Sequence, residues 1–151
     1  MPAAPLEPGD ERWIGAALAA ARQGIAQGQT PFGTAIVAGD LLVAAGHNQV
    51  WALTDPTAHA EVTVIRAACR ARRSITLEGC TLYSTCEPCP MCMAAIHWAR
   101  LDRVVYGATI ADAAAAGFHE LHLPAAELLS RGGSPVRWTP GCLAADCRQL
   151  F

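Results

Sequence analysis

The sequence predicts a single α/β domain in which a layered sheet carries helices on both faces. Three observations support this prediction. The chain has 151 residues, which suits one compact domain over 1–151 rather than two small ones. Short apolar runs typical of strands alternate with segments of helical periodicity. No internal repeat or linker marks a domain boundary. We therefore expect one core around one sheet.

The first elements follow from local patterns. Asp10 is expected to cap a helix whose apolar residues recur at helical spacing up to Ile25. Two apolar runs, 32–38 and 41–45, flank a Gly-Asp pair and predict a β-hairpin. Asp55 and Pro56 together offer a cap and a first-turn proline, and so predict the start of a long helix. The later predicted elements are that helix to about 72, a strand at 80–84, a helix at 87–100, strands at 103–107 and 136–138, and a last helix from about 143.

Composition limits the classes of protein to consider. Half of the residues are apolar (52%) and 16% are charged, which is ordinary for a globular protein. No apolar run approaches the 18 or more residues of a membrane span, and the first residues lack the pattern of a secretory signal. We therefore expect a cytoplasmic protein with no membrane partner. Seven cysteines, an odd number without a signal peptide, argue against a disulfide framework.

The charge pattern disfavours a nucleic-acid partner. The formal net charge is −2, and all eleven basic residues are arginines. A protein that holds a long nucleic acid normally neutralises several phosphates with clustered basic side chains. The one dense basic stretch fits the exposed face and end of a helix. It comprises Arg66, Arg70, Arg72 and Arg73. A small molecule is therefore the favoured partner.

Two clusters of residues have the spacing of a metal centre. Cys89 and Cys92 lie three apart at the predicted start of a helix, so their sulfurs share one face and the helix dipole favours thiolates. Thiolates and a neutral imidazole, which His59 supplies, are the ligands that Zn²⁺ prefers. Three protein ligands leave one tetrahedral position open, as in catalytic zinc sites. Glu61 then stands beside the metal as the candidate acid and base.

One geometric difficulty accompanies this interpretation. Residues two apart on a helix point in nearly opposite directions, so His59 and Glu61 converge only if the metal lies over the helix end. A helix beginning at Asp55 and Pro56 places both within its first turn and a half. Two alternatives remain open: a structural zinc site with Cys86 as fourth ligand, or a redox pair of cysteines.

The spacing of these residues resembles a known signature. His-x-Glu followed by Pro-Cys-x-x-Cys is typical of zinc-dependent nucleobase deaminases. The chain resembles the cytidine-deaminase-like superfamily and, within it, the bacterial guanine deaminases. The resemblance runs from Pro31 to Phe118. The segments that carry it are 31–33, 46–48, 55–61, 82–92, 98–100, 112–114 and 116–118.

The resemblance implies both a fold and an activity. It implies a three-layer α/β/α sandwich with a mixed five-stranded sheet, and a homodimer whose C-terminal segment can exchange between subunits. It also implies a bound Zn²⁺ held by His59, Cys89 and Cys92, with Glu61 as the catalytic residue. The reaction is the hydrolysis of guanine to xanthine and ammonia. Phe151, the last residue, is a candidate aromatic lid over the site.

The resemblance also implies contacts with the substrate. Asn48 would hydrogen-bond the purine, and Phe32 and Trp98 would line or stack on the ring, although plain core packing is the alternative for both aromatic residues. Ala60 and Phe118 complete the expected binding site. The resemblance implies an aspartate two residues after Phe118, but this chain has Glu120, whose extra methylene changes its reach in a site where placement sets specificity.

That departure keeps other functions open. The ring could be cytosine, a triazine or another amino-purine, because the residues after Glu120 resemble the family poorly. A tRNA adenosine deaminase shares the metal motif, although the absence of lysine argues against it. A non-enzymatic module stabilised by zinc would have a closed site with four ligands.

Overall fold

Seven helices and five strands form the part of the chain, residues 2–151, that a computed structural model describes. The elements are α1 (Asp10–Ala26), β1 (Gly33–Ala38), β2 (Leu41–His47), α2 (Val50–Leu53), α3 (Ala60–Arg72), β3 (Cys80–Cys86), α4 (Pro90–Trp98), β4 (Arg103–Ala108), α5 (Ile110–Ala115), α6 (Ala125–Gly132), β5 (Arg137–Thr139) and α7 (Ala144–Arg148).

The strands form one mixed sheet in the order β2-β1-β3-β4-β5. Strand β1 is antiparallel to both β2 and β3, whereas β3, β4 and β5 run parallel. The predicted hairpin is therefore confirmed as β1 and β2. The carboxyl end of β3 lies next to that of β4, and open α/β sheets place their ligand sites at such an edge.

Helices cover both faces of this sheet, so the predicted three-layer α/β/α sandwich is confirmed. Successive residues of a strand point to opposite faces. Leu82 and Val104 accordingly belong to one core, which they share with α3, α4 and α6. Tyr83 and Val105 belong to the second core, against α1 and α7. Apolar cores therefore cover both faces of the sheet.

Helix α3 begins later than predicted. Its first helical residue is Ala60, and His59 is the residue that precedes the helix. The Asp55 side chain instead accepts hydrogen bonds from the backbone N–H and hydroxyl of Thr57, at 2.8 and 2.7 Å. An aspartate side chain accepts hydrogen bonds within a turn of this kind as readily as it caps a helix. The prediction of a helix start at Asp55 was therefore wrong.

Two other helix starts also differ from the prediction. Helix α4 begins at Pro90 rather than residue 87, and Cys89 precedes it. In α1 the residue before the helix is Gly9, and Asp10 is the first helical residue without capping it through its side chain. Asp10 is drawn instead into long-range contacts, because its carboxylate bonds Arg103 and Tyr83.

A buried ion pair joins α1 to the middle of the sheet. Arg103 and Asp10 are 1% and 2% exposed and meet at 2.8 Å. The guanidinium also donates to the hydroxyl oxygen of Thr139 on β5 and to the carbonyl of Pro5. Buried charges require partners of this kind. The pair thus ties the first residues of the chain to β4 and β5.

Gly33 is required by the packing of α1 against β1. A Cβ at this position would collide with the backbone of α1 at Ala17 and Ala21. We expect Gly33→Ala to lower the free energy of unfolding by at least about 1–3 kcal/mol, because overpacking forces the backbones apart. Gly15 is the matched control, since a Cβ there meets nothing within 4 Å. Gly15→Ala should instead raise stability by about 0.5–1 kcal/mol. Urea unfolding of both variants measures this difference, and equal effects would contradict it.

Within residues 2–151, no helix combines the length and the apolar character that crossing a membrane requires.

Candidate active site

The starts of two helices meet at the carboxyl end of β3. His59 immediately precedes α3, and Cys89 immediately precedes α4. Both residues have extended backbones, with φ −61° and ψ 158° for His59 and φ −64° and ψ 168° for Cys89. This placement resolves the geometric difficulty of the sequence, because His59 lies outside the helix that contains Glu61. The two side chains can therefore approach one point from different directions.

Three side chains converge with the geometry of a metal centre. The Nδ1 atom of His59 lies 3.6 Å from Sγ of Cys89 and 3.5 Å from Sγ of Cys92. A tetrahedral zinc ion with Zn–N of about 2.0–2.1 Å and Zn–S of about 2.3 Å separates such atoms by about 3.6 Å. The three donors lie within 4.8 Å of one another. They could hold a zinc ion without rearrangement.

The fourth cysteine considered from the sequence lies outside this group. Among residues 2–151, the only cluster of metal-ligating groups contains three members, and Cys86 is not one of them. Its thiol is directed at the carbonyl of Thr109, 3.6 Å away. Burial raises the pKa of the Cys86 thiol well above its usual range. The arrangement therefore favours an open site with three ligands over a closed structural site.

The electrostatics of this cluster suit a cation. A hydrogen bond from the Cys92 thiol lowers the pKa of Cys89 to about 4, against the effect of burial, and His59 adds to that lowering. The contact with Cys89 raises the pKa of His59 although burial opposes it. The surroundings thus favour a negative charge on Cys89, and thiolates are what zinc binds.

Glu61 is a buried carboxylate beside the cluster. It lies in the first turn of α3 and is 7% exposed. The hydroxyl of Ser84, on β3, donates to its Oε1 at 3.1 Å. Burial and the nearby charge of Cys89 raise the pKa of Glu61. A carboxyl group poised nearer to neutrality suits a role in proton transfer.

A cavity of about 220 Å³ opens over these groups. It is smaller than the roughly 300–1,000 Å³ that holds a drug-sized ligand, and so favours a small ring. Eight of the ten site residues predicted from the sequence line it: Phe32, Asn48, His59, Ala60, Glu61, Cys89, Phe118 and Glu120. Cys92 is fully buried beneath them as the third member of the cluster.

Asn48 presents a defined hydrogen-bonding group to the cavity. Its Oδ1 accepts from the backbone N–H of Val50 at 3.0 Å. Its backbone N–H donates to the carbonyl of Phe32, and its own carbonyl accepts from Nδ1 of His47 at 2.8 Å. These contacts fix the side chain and leave the NH₂ group as its free donor among the described residues. The cavity therefore offers a donor where Asn48 lies.

Phe32 and Phe118 line the cavity, and the third phenylalanine, Phe151, packs against both of them. The rings of Phe32 and Phe118 are 5.1 Å apart in an edge-to-face arrangement. The ring of Phe151 lies 5.8 Å from Phe32 and 5.6 Å from Phe118. Aromatic pairs favour such spacings. Phe151 thus supports the aromatic wall of its own chain, and helix α7 packs beneath the same sheet face.

Trp98 does not lie at this cavity. It is 78% exposed at the end of α4 and lines a separate surface hollow with Ile75 and His97. Helix α4, which begins at Pro90, carries Trp98 about two turns away from the metal ligands, so Trp98 does not line the cavity of its own chain. The expected stacking of Trp98 on the ring is not supported within one chain, and its alternative of plain core packing is excluded by its exposure.

Five residues line the cavity without having been predicted. They are Thr30, Val50, Cys86, Glu87 and His119. Glu87 had a detectable signal, because a carboxylate directly before Pro88 at the end of a buried strand needs a partner. Thr30 and Val50 carry no chemical signal in the sequence, and only the fold brings them to the cavity.

The fold and the cluster define a zinc-binding domain of a known family. Residues 8–108 match the cytidine and deoxycytidylate deaminase zinc-binding region, and the chain belongs to this family. The chain is 52% identical to the guanine deaminase of Bacillus subtilis (strain 168) over 90 residues, which is 60% of this chain and 58% of that protein. It is 41% identical to the tRNA-specific adenosine deaminase of Aquifex aeolicus over 100 residues, 66% of each chain.

A solved structure extends the likeness to the whole chain. The guanine deaminase from Nitrosomonas europaea is 29% identical, with a TM-score of 0.86 over 99% of this chain and 84% of that chain. The matches to the two curated relatives span less than two thirds of their length. The resemblance to guanine deaminases found from the motifs is confirmed by these comparisons.

Proposed function

We propose that this chain is a zinc-dependent hydrolase that converts guanine and water to xanthine and ammonia. The observation that carries the proposal is the placement of a zinc-compatible cluster and a buried carboxylate at one small cavity. The 52% identity to a guanine deaminase supports guanine over other rings. Within this proposal, His59, Cys89 and Cys92 hold the metal and Glu61 moves the protons.

The residues divide the chemistry between them. A zinc ion held by His59, Cys89 and Cys92 would supply a Lewis acid that lowers the pKa of water towards neutrality. Glu61 accepts a proton from the attacking water at its carboxylate and delivers protons to the ring nitrogen and the departing amine. Because Ser84 occupies Oε1 of Glu61, we assign the proton to Oε2. The ring carbon gains an oxygen from water, and the amine leaves as ammonia.

The cavity wall would orient the ring. The NH₂ group of Asn48 donates to an acceptor on the purine, such as its carbonyl oxygen. Glu120 accepts from N–H groups on the opposite edge, and Phe32 and Phe118 exclude water from the ring faces. Burial raises the pKa of Glu120, and the charge of Cys89 adds to this effect. Guanine presents both a donor edge and an acceptor edge, so it can pair with Glu120 on one side and with Asn48 on the other.

Two further proposals concern partners. We propose that the chain acts on a free nucleobase as a homodimer, in which Trp98 and its hollow are candidates for contact with the second subunit. Exchange of the C-terminal segment is not needed to complete the aromatic wall, because Phe151 reaches Phe32 of its own chain.

The activity is tested by following ammonia release from the zinc-loaded protein. The panel comprises guanine, cytosine, ammeline, adenine, cytidine and a tRNA anticodon stem-loop. We expect rapid turnover of guanine alone. If another ring releases ammonia and guanine does not, the proposed deamination stands but guanine is not the substrate. If no member of the panel releases ammonia, the proposed deaminase activity is overturned.

One variant tests the contact with the acceptor edge. Asn48→Asp replaces the free donor by an acceptor, while the carboxylate can still accept from Val50. We expect kcat/KM for guanine to fall by about 100-fold or more, because a site built to pair a polar group strongly penalises its loss. Gln49→Glu makes the same chemical change one residue on, outside the cavity lining, and should change kcat/KM by less than about twofold. Steady-state kinetics compare the two, and equal effects would contradict the role of Asn48.

A second candidate, deamination of adenosine in tRNA, is favoured by the 41% identity to a tRNA-specific enzyme. The surface around the cavity argues against it. Among the described residues, the lining contains three glutamates and no arginine. The basic stretch from Arg66 to Arg73 is exposed along and beyond the later turns of α3, away from its first turn at the site. Phosphate groups would find little positive charge near the cavity.

A further inference from the structure

Glu87 is a buried carboxylate that the proposed chemistry does not use. It lies between the end of β3 and the metal-ligating residues, and it is 8% exposed. Its Oε2 accepts from the backbone N–H of Ile110 at 2.9 Å, and its Oε1 accepts from the backbone N–H of Ala125 at 2.7 Å. These two N–H groups belong to the first residues of α5 and α6. One side chain therefore holds the starts of two consecutive helices.

The segment between those helices forms part of the cavity wall. Residues 116–124, here called the recognition loop, join α5 to α6 and carry Phe118 and Glu120 into the cavity. The backbone hydrogen bonds of this loop are local: Phe118 donates to Ala113, and Glu120 donates to Phe118. Among residues 2–151, the bond from Ala125 to Glu87 is the only hydrogen bond that joins 116–125 to a residue outside α5, the loop and α6.

Glu87 is also fixed at its own end. Its backbone N–H donates to the carbonyl of Ala108 at 2.8 Å, which holds it to the end of β4. Only Pro88, whose φ is locked, separates it from Cys89. The distance between the metal cluster and the recognition loop is thus set through a short and rigid path. A carboxylate suits this position because its two oxygens can accept from two N–H groups at once.

We propose that Glu87 is a positioning residue that holds the recognition loop, and with it Phe118 and Glu120, at a fixed distance from the metal cluster. The inference rests on the proposed function for its kinetic consequences. The clamp itself is a property of the folded chain. Glutamine fits the same space, but its one carbonyl oxygen can satisfy only one of the two N–H groups, and its NH₂ group opposes the other. Glu87→Gln should therefore release the start of α5 or of α6, the two helices that flank the loop, without opening a cavity.

Hydrogen exchange measured by mass spectrometry on the zinc-loaded protein tests the clamp without any substrate. In Glu87→Gln we expect amides of 116–125 to exchange at least about tenfold faster, with residues 59–64 and 89–93 unchanged. The zinc content should stay at one ion per chain. Unchanged exchange in the loop, or equal acceleration at both metal-ligating segments, would overturn the proposal. Loss of zinc would also overturn it, since the defect would then lie in the metal site.

Steady-state kinetics on guanine then separate positioning from general weakening. We expect KM to rise about tenfold while kcat changes less than about threefold, because the loop binds the ring and does not move protons. A fall in kcat with KM unchanged would overturn the assignment. If the wild-type protein releases no ammonia, the proposed function fails, and the exchange experiment still decides the clamp.

Asp102→Asn is the matched control. Its Oδ1 also accepts a backbone N–H, from Gly79 at 3.0 Å, but beside the opposite end of β4. This variant should leave both the exchange of 116–125 and KM at wild-type values. Faster exchange of the recognition loop in Asp102→Asn would show that loss of any such carboxylate loosens it, and would overturn the specific role of Glu87.

Discussion

Glu61→Gln should lower kcat for guanine by about 10²- to 10⁴-fold, the range that a positioned acid and base contributes. The amide can still accept from Ser84, but it cannot carry a proton between water and the ring. Because Glu61 is not one of the three clustered donors, the variant should bind zinc at wild-type stoichiometry. Ammonia release under saturating guanine measures kcat, and metal analysis of the purified variant measures zinc.

A matched control separates chemistry from folding. Glu78→Gln makes the same change on an exposed glutamate that pairs with Arg100 at the surface, 66% and 69% exposed respectively. It should leave kcat unchanged. Release of ammonia by Glu61→Gln at near the wild-type rate would contradict the assigned role. Loss of zinc in that variant would show that Glu61 acts on the metal site instead.

Asp10→Asn should lower the free energy of unfolding by about 3 kcal/mol, the lower end of the range for breaking a buried ion pair. The variant leaves the guanidinium of Arg103, 1% exposed, with only the half-exposed Glu7, 3.6 Å away, as a counter-charge. Urea unfolding at pH 7 measures the loss. Glu127→Gln is the control, because its pair with Arg131 is exposed and spaced i,i+4, and such pairs contribute less than about 0.5 kcal/mol. Equal losses in the two variants would contradict the importance of the buried pair.

The same pair predicts how stability depends on pH. Burial opposes ionisation of Asp10, but hydrogen bonds from Arg103, the N–H of Glu7 and Tyr83 outweigh it and hold the pKa below its usual 3.8. A folded pKa below the unfolded one stabilises the protein fully above the unfolded pKa, and the gain is lost as pH falls through the folded pKa. The difference between wild type and Asp10→Asn should therefore shrink below about pH 4. A difference that stays constant to pH 2 would contradict this.

The local patterns of the sequence predicted most of the elements up to β4, because the hairpin, β3 and β4 each have an apolar run or a turn signal of their own. They failed at helix starts. Asp55 and Asp10 are both good capping residues, yet one closes a turn with Thr57 and the other pairs with Arg103. The competing partner in the second case lies 93 residues away, so no local pattern could reveal it.

The metal cluster and Glu61 were predictable because their residues lie close together in the sequence, as His59-x-Glu61 and Cys89-x-x-Cys92. The other residues that line the cavity were predictable only in part. Trp98 follows the metal motif closely in sequence, but the helix carries it to an exposed face. Thr30 and Val50 reach the cavity only because the fold brings distant elements together. The C-terminal segment, poorly predicted from its sequence, is nevertheless matched in the Nitrosomonas europaea structure, which covers 99% of this chain.

The most direct test of hydrolytic guanine deamination is product analysis in ¹⁸O-labelled water. We predict that the zinc-loaded wild-type protein converts guanine to xanthine carrying one ¹⁸O atom, with one ammonia released for each ring, and that Glu61→Gln forms neither product at a comparable rate. Guanine that remains unchanged, or ammonia released without incorporation of the label, would contradict hydrolytic deamination of this ring.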